Sequence, residues 1–243
     1  MANSQPFLER FGFRRDEYHA SRKYKVGKIL KILFEEIARP RESVIADIGC
    51  SEGHITQFLV EHFRFVVGVD IDAQGSRPQS YQFVQADGCC LPFADRSFDI
   101  VLLNHILEHV ASQQSLLDEV WRILKPSGIC YLAVPNRLWI LEPHYLLPFL
   151  SWLPRSVAST YVRLTKRGAA YSETLPSYWS IRRMSKKFGM KDLTSFLLRA
   201  PETFYPDDPD LLARTRYMKW LPEPLLKMFI PLVPSWVFIL RKR

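Results

Sequence analysis

Continuous apolar runs alternate with helically spaced apolar residues over roughly the first 140 positions of the chain. The helical spacing predicts helices at 23–38, at 54–63, and from a Ser112 cap to residue 124, where Lys125-Pro126-Ser127-Gly128 ends the last one. The apolar runs predict strands at 44–48, 65–70, 82–86, 129–134 and, after a turn, within 95–104. Strands that alternate with helices imply a parallel sheet with right-handed crossovers.

The pattern is less regular after residue 136. It predicts a helix at 178–188 that Gly189 and Met190 end, a sixth strand at 191–198, and a seventh, antiparallel strand at 235–240. The segments 138–177 and 200–234 are longer than ordinary connections and are rich in Leu, Trp, Phe and Pro. We expect these two inserts to form a lid over a ligand site.

Composition bounds the size and the compartment of the protein. At 243 residues and 47% apolar content, the chain suits a single α/β domain. Residues 1–17 lack an apolar signal-peptide core, and Phe7, Phe11 and Phe13 are candidates to close over a ligand. The four cysteines form no C-x-x-C pair, so we expect reduced thiols, a cytoplasmic protein, and neither a zinc site nor disulfides.

Charge divides the chain into two unequal parts. Residues 1–150 hold 16 Lys and Arg against 18 Asp and Glu, whereas residues 151–243 hold 17 against 7. The basic second part suits an anionic membrane surface, a nucleic acid or a phosphorylated substrate, and a solvated basic face explains it equally well. It contains no recognisable RNA-binding module, which disfavours nucleic acid.

The turn that follows the strand at 44–48 carries the clearest candidate chemistry. Asp47 stands at the strand end, and Gly49 and Gly53 allow close approach of a ligand to the backbone. Free N–H groups at the following helix start can hold a carboxylate or phosphate. The run lacks the three glycines of a dinucleotide fingerprint, and its acid favours a ligand that carries an ammonium group. A purely structural strand-helix corner is the alternative.

Several motifs in order resemble those of one enzyme group. The Asp47–Gly53 turn, the segment from Pro92-Phe93 to Asp99, Leu107-Glu108-His109-Val110, and Leu124 to Gly128 together resemble the class I S-adenosylmethionine-dependent methyltransferases. The resemblance is to the group that includes ubiquinone and menaquinone methyltransferases (methyltransferase type 11), and it covers about residues 40–137. Ser51 departs from the pattern, because a glycine usually stands there.

The resemblance implies a three-layer, Rossmann-like α/β fold, a mostly parallel seven-stranded sheet with its last strand antiparallel, and a cofactor, S-adenosylmethionine. It places the amino group on Asp47, the ribose on Asp70 and the adenine on Asp87. Asp70 also stands at a second strand end, 17 positions after Gly53, where a carboxylate can bind both ribose hydroxyls. The full set of expected cofactor-binding residues is Asp47, Gly49, Cys50, Ser51, Gly53, Asp70, Ile71, Asp87, Gly88 and Asn104.

Two histidines are the candidate catalytic residues. His105 follows Asn104 and should lie near the transferred methyl group, where it could act as a general base, and His144 lies on the first insert. His105-Ile106-Leu107-Glu108-His109 matches an H-x-x-E-H zinc-peptidase pattern, but it begins at a strand end without an indicated third ligand. Some quinone and RNA ribose methyltransferases carry E-x-x-E-H here and bind a divalent ion. Because His105 replaces the first Glu, we predict no metal ligands.

The expected activity is O-methylation of a small or lipid-linked acceptor, since the inserts are both apolar and basic. C-methylation of a quinone precursor and a non-catalytic, S-adenosylmethionine-binding partner protein are the alternatives. We expect one domain over residues 1–243 with a cofactor-binding core at 40–137, and a cytoplasmic enzyme that associates peripherally with an anionic membrane. A span at 220–240 is disfavoured by its charges and prolines.

Overall fold

A seven-stranded sheet forms the centre of the molecule. The structure is a computed structural model that describes residues 15–72, 80–204, 215 and 217–243. The strands lie in the order β3-β2-β1-β4-β5-β7-β6. Their bounds are β1 Val44–Ile48, β2 Phe65–Asp70, β3 Gln82–Gln85, β4 Phe98–Asn104, β5 Leu124–Pro135, β6 Phe188–Asp192 and β7 Ser235–Lys242.

Helices and short helical turns connect the strands. The α-helices are α1 Arg15–Glu36, α2 Thr56–Leu59, α3 Gln113–Ile123, α4 Arg155–Leu164, α5 Tyr178–Met184, α6 Thr194–Arg199, α7 Pro201–Phe204 and α8 Glu223–Phe229. In the described part of the chain, 3-10 turns lie at Pro40–Glu42, Leu150–Trp152, Met218–Trp220 and Ile230–Leu232. The expected N-terminal aromatics Phe7, Phe11 and Phe13 lie outside the described residues.

Strand direction agrees with the prediction of a mostly parallel sheet. β3, β2, β1, β4 and β5 pair in parallel, and β7 runs antiparallel to both β5 and β6. Near their carboxyl ends, Ile48 of β1 pairs with Val69 of β2 and with Leu103 of β4. The loops that follow these strands therefore emerge along one edge, where open α/β sheets bind ligands.

Apolar side chains cover both faces of the sheet, which explains the continuous apolar runs in its central strands. One face packs on α3, where Leu116, Leu117, Val120 and Ile123 are buried and the Ser112 side chain accepts the Ser115 N–H. The other face packs on α1 through Val26, Ile29, Ile32 and Leu33. The structure is thus a three-layer, Rossmann-like α/β fold, as the resemblance implied.

Several predicted elements differ from the structure. The helix predicted at 178–188 ends at Met184, and Gly189 and Met190 lie in β6 instead of ending the helix. The helix predicted at 54–63 is the single turn α2, and Phe58 on this turn is exposed. The strand predicted at 191–198 is wrong: β6 covers Phe188–Asp192, and Asp192 Oδ1 then accepts the Thr194 N–H at the start of α6. The fifth strand begins at Leu124, because that residue already pairs with Phe98.

The first insert starts, and the second insert ends, beside the end of β5, and Asn136 contacts both. The buried Asn136 amide donates to the carbonyl oxygens of Pro231 (2.9 Å) and Val233 (2.7 Å), and its oxygen accepts the Leu138 N–H. The first insert has its own small core, formed by Leu147, Leu150, Ala158, Val162, Tyr171 and Leu175. The second insert, 200–234, lies partly outside the described residues.

Among the described residues, every helix is too short or too polar to cross a membrane.

Candidate functional site

The turn after β1 owes its shape to residues with positive φ. Gly49 and Gly53 have φ of +77° and +76°, and Ser51 between them has φ of 50°. A Cβ atom on Gly49 would lie 2.6 Å from the Ile106 side chain, and one on Gly53 would lie 1.9 Å from the Tyr81 hydroxyl oxygen. The two glycines are therefore required by close packing as well as by the backbone conformation.

Backbone hydrogen bonds attach this turn to the end of β2. The N–H groups of Gly49 and Cys50 both donate to the Val69 carbonyl, at 2.8 and 3.0 Å, and the Ser51 N–H donates to Asp70 Oδ2 at 2.7 Å. The buried Cys50 lies under the turn, with its sulfur close to Gly68. The sequence predicted an anion site at the start of a helix. Because α2 is only one turn long, it provides little of the helix dipole that would favour an anion there.

Asp47 is a buried carboxylate at the end of β1. It is 3% exposed, and its Oδ2 accepts a 2.6 Å hydrogen bond from the Thr56 hydroxyl. Burial raises the pKa of Asp47 to about 6, the Thr56 hydrogen bond opposes that rise, and the nearby Asp70 charge adds to it. A cation beside Asp47 would favour its ionised form. Thr56 was not identified from the sequence, because nothing in the spacing marks it.

Asp70 lies at the end of β2, next to the β1 turn. Its two carboxylate oxygens accept the N–H groups of Ser51 and Asp72, at 2.7 and 3.0 Å. Each oxygen keeps a second lone pair, so both can still accept hydroxyl groups of a ligand. The apolar side chain of Ile71 follows directly and is exposed. This surface suits a ribose with an attached flat base.

Asp87 follows β3, the strand next to β2. Its side chain is exposed, and its Oδ1 accepts the Cys89 N–H at 2.8 Å. A Cβ atom on Gly88 would lie 3.1 Å from Leu116 and 3.3 Å from Ile48, so this loop packs against the end of β1. The structure therefore brings Asp47, Asp70 and Asp87 to the carboxyl ends of three neighbouring strands. We call this arrangement the strand-end site.

Asn104 and His105 complete the strand-end site at the end of β4. His105 has φ of 57° and its N–H donates to the Ala133 carbonyl at 2.9 Å, while 40% of its side chain is accessible. Partial burial lowers the pKa of His105, and the charges of Lys25 and Lys28 on α1 add to this effect, against the opposing influence of Glu108. His105 Nδ1 lies 3.6 Å from Glu108 Oε1.

His144 reaches the same carboxylate from the first insert. Its Nε2 lies 3.9 Å from Glu108 Oε1, and its Nδ1 lies 2.7 Å from Oε1 of the fully buried Glu142. Burial acts to lower the pKa of His144, but the hydrogen bond and charge of Glu142 outweigh it and the pKa lies above its usual value. Both predicted catalytic histidines therefore approach Glu108. Sequence reasoning missed Glu142, although it stands two residues before His144.

Comparison with known proteins identifies the central part of the chain. Residues 46–132 match the family model of a methyltransferase domain. The chain is 28% identical over 153 residues to a malonyl-[acyl-carrier protein] O-methyltransferase of Coxiella burnetii, covering 59% of this chain and 54% of that protein. It is 31% identical over 128 residues to a ubiquinone biosynthesis O-methyltransferase of Bartonella tribocorum, covering 46% of this chain and 50% of that protein. The chain thus spans about half the length of these curated relatives.

Solved structures show the same fold. An S-adenosylmethionine-dependent methyltransferase from Mesorhizobium loti matches with a TM-score of 0.58 and 16% identity, covering 87% of this chain and 96% of that one. The [4+2]-cyclase SpnF matches with a TM-score of 0.53 and 13% identity, covering 89% of this chain and 80% of that one. At these identities, the likeness concerns the fold alone.

Proposed function

We propose that this chain is an S-adenosylmethionine-dependent methyltransferase and that it transfers the methyl group of its cofactor to an oxygen of a small or lipid-linked acceptor. The observation that carries this proposal is the strand-end site, in which Asp47, Asp70 and Asp87 stand at three neighbouring strand ends. S-adenosylmethionine is the cofactor that the matching domain and its relatives imply.

Each acid of the strand-end site suits one part of the cofactor. Asp47, buried and held by Thr56, binds the amino group, since an ammonium ion compensates the cost of its buried charge. Asp70 binds the ribose hydroxyls and Asp87 binds the adenine amino group. Gly49, Cys50, Ser51 and Gly53 shape the methionine pocket, Ile71 and Gly88 flank the adenine, and Asn104 faces the reacting end of the cofactor.

Methyl transfer from a sulfonium requires mainly correct placement of the acceptor, because the leaving thioether is neutral. Holding the acceptor in line with the sulfur–methyl bond converts a bimolecular step into an effectively unimolecular one. The first insert supplies a lid for this purpose, because the Thr174 N–H donates to the Glu108 carbonyl at 2.9 Å and the Gln113 side chain donates to the Thr174 carbonyl. These contacts hold the insert beside the end of β4.

An oxygen acceptor also has to lose a proton, and His105 is placed to receive it. It follows Asn104 at the end of β4, and part of its ring is accessible. His144 is less suited to this role, because Glu142 and Glu108 face its two ring nitrogens. We therefore assign the general base to His105 and a supporting role to His144.

The surface of the first insert supports a lipid-linked acceptor. Phe149 and Trp152 are both exposed, with ring centroids 5.0 Å apart, and Trp139, Ile140 and Leu146 are exposed nearby in sequence. Basic residues follow at Arg155, Arg163, Lys166 and Arg167. An apolar surface beside positive charge suits an acceptor held at an anionic membrane and peripheral attachment of the enzyme.

Cofactor binding is the first test. Calorimetric titration with S-adenosylmethionine should show one site per chain, and Asp70→Ala should weaken it at least tenfold by removing both ribose acceptors. Asp118→Ala is the control, because Asp118 pairs with Lys187 on the exposed side of α3. An Asp70→Ala protein that binds as tightly as the wild type would contradict the proposed site.

Methyl transfer itself is tested with cofactor labelled in the methyl group. Incubation with fractionated cell extract should label a lipid or small-molecule fraction, and the label should be released by the chemistry that cleaves methyl esters or ethers. A label on ring carbon would favour C-methylation of a quinone precursor. Tight cofactor binding without any labelled fraction would favour the non-catalytic alternative.

A further inference from the structure

The side chains of Glu108, His109 and His144 lie close together beside the strand-end site. One potential ligand atom from each of Glu108, His109 and His144 lies within 4.8 Å of the other two. Glu108 is 1% exposed, and neither of its carboxylate oxygens has a hydrogen-bond partner among the residues that the structure describes. A buried carboxylate in this condition is costly unless a cation accompanies it.

The spacing of these atoms is close to that of a coordination sphere. Two ligand atoms that each lie about 2.1 Å from a zinc-sized ion are roughly 3.4 to 4.2 Å apart, depending on the angle between them. His144 Nε2 and Glu108 Oε1 are 3.9 Å apart. The His109 and His144 rings meet edge to face, with their centroids 4.9 Å apart. Only small rotations of these side chains would therefore bring three ligands onto one ion.

Glu142 orients one of the imidazoles in the manner of an outer-shell carboxylate. Its Oε1 faces His144 Nδ1 at 2.7 Å, and its Oε2 accepts the backbone N–H groups of His144 and Tyr145 at 2.8 and 2.7 Å. Because the carboxylate accepts the proton on Nδ1, the lone pair of His144 resides on Nε2, which faces Glu108. A carboxylate, an imidazole and a metal ion form this series in many metalloproteins.

We propose that Glu108, His109 and His144 bind one divalent first-row transition-metal ion, with Glu142 holding His144 in the binding tautomer. Two imidazole nitrogens and one carboxylate oxygen suit Zn²⁺, Fe²⁺, Co²⁺ or Mn²⁺, whereas Mg²⁺ and Ca²⁺ favour sites made of oxygen alone. His144 lies on the first insert, whereas Glu108 and His109 lie on the loop after β4, so the ion would join these two segments. This explains why the H-x-x-E-H pattern indicated no complete site in the sequence.

Three protein ligands leave room for further ligands on the ion. A metal ion with open coordination positions can bind the oxygen of a hydroxyl group or water and lower the pKa of that group. The site lies beside His105, whose Nδ1 is 3.6 Å from the same Glu108 oxygen. The ion would therefore be able to hold an acceptor oxygen next to the proposed base. The binding of the ion itself does not depend on methyl transfer, so it is tested separately.

The test uses tag-free, chelator-stripped protein and Co²⁺ as a spectroscopic probe. Titration of the wild type should give visible d–d absorption that saturates at one Co²⁺ per chain, and Zn²⁺ should displace it. The absence of such a band, or displacement of Co²⁺ by Mg²⁺ at equal concentration, would overturn the proposal. This result on the wild-type protein is decisive without any variant.

Variants locate the site. Glu108→Gln and His144→Ala should each weaken Co²⁺ binding more than tenfold, and Glu142→Gln should weaken it about 10- to 100-fold as an outer-shell change. His54→Ala is the control, because His54 forms a similar 2.9 Å pair with Glu52 away from the cluster. Unchanged Co²⁺ affinity in Glu108→Gln would overturn the assignment. Circular dichroism shows whether each variant remains folded, and parallel titration with S-adenosylmethionine separates this result from failure of the proposed function.

Discussion

In the proposed site, the charge state of Asp47 affects both cofactor binding and the stability of the protein. Its pKa lies at about 6 in the folded protein and at 3.8 for an unperturbed group. Between these values the folded state holds more protons than the unfolded state, so stability falls as the pH rises through this window. Each pKa unit corresponds to about 1.4 kcal/mol, so the ionised Asp47 costs the ligand-free protein a few kcal/mol at neutral pH.

We predict that S-adenosylmethionine binding weakens as the pH falls below about 6, because protonation removes the charge that binds the ammonium group. Calorimetric titration between pH 5 and pH 8 measures this. Asp47→Asn should bind weakly at every pH, with little pH dependence, and should unfold at a higher temperature than the ligand-free wild type at pH 7.5.

Thr56→Val tests how the hydrogen bond from Thr56 affects the pKa of Asp47. The Thr56 hydrogen bond lowers the pKa of Asp47, so its removal should move the midpoint of cofactor binding to higher pH. Val has nearly the same shape as Thr, and the buried site should therefore keep its packing. A midpoint that stays in place, or that moves to lower pH, would contradict the role given to this pair.

Gly53 in the β1 turn is required by its surroundings, whereas Gly27 in α1 is not. The same Gly→Ala substitution can therefore be compared at the two positions. Gly53→Ala places a methyl group against the Tyr81 hydroxyl at a positive φ, so we expect it to lower the free energy of unfolding by about 2–4 kcal/mol. In Gly27→Ala the added Cβ meets nothing within 4 Å, and the change should be neutral or stabilising by up to ~1 kcal/mol. Urea unfolding measures both. Equal effects would contradict the packing argument.

At the scale of elements, the central strands were predictable because burial on both faces makes them continuous apolar runs. β1, β2 and β4 were predicted with bounds close to those observed. The predictions failed where tertiary contacts decide local structure. Thr56 turns toward Asp47 and α2 stops after one turn, whereas Asp192 starts α6 where a strand was expected.

The candidate site also contains residues that the local sequence predicts and residues that only tertiary contacts reveal. Its parts that follow strands were predictable, because an acid at a strand end and a pair of glycines mark a local ligand site in the sequence. Thr56, Tyr81 and Glu142 were not predictable, since their roles depend on contacts between separate segments. Tyr81 explains Gly68 as well, because its ring would lie 2.7 Å from a Cβ atom there.

Asn136 contacts both inserts at the end of β5. We expect Asn136→Ala to destabilise the protein by about 2–4 kcal/mol, because two carbonyl oxygens on the second insert and the Leu138 N–H lose buried partners. Thermal unfolding measures the loss, and limited proteolysis should cut within 138–177 or 200–234 sooner than in the wild type. Ser180→Ala is a milder control, since it removes only the two local hydrogen bonds between the Ser180 hydroxyl and the Ser177 backbone at the start of α5. Unchanged proteolysis would contradict this role of Asn136.

At the scale of the whole molecule, the part of the chain with the net positive charge also carries many large, exposed apolar side chains. The net positive charge lies in 151–243, where 17 Lys and Arg stand against 7 Asp and Glu, and large exposed side chains in this part include Leu164, Trp220, Met228 and Phe229. An interface of this kind gains affinity from apolar burial and from attraction to anionic lipids, and salt screens only the second contribution. The two contributions can therefore be measured separately.

We predict that the protein co-sediments with vesicles containing phosphatidylserine, and that added salt weakens this binding. The double change Phe149→Ser and Trp152→Ser should reduce partitioning about 30-fold, because each half-exposed aromatic ring contributes on the order of 1 kcal/mol at a membrane surface. Phe65→Ser is the matched control, because Phe65 is equally exposed but stands at the start of β2, whereas the site lies where the strands end. If Phe65→Ser reduced partitioning as strongly as the double change, or if salt had no effect, the first insert would not be the membrane-facing surface.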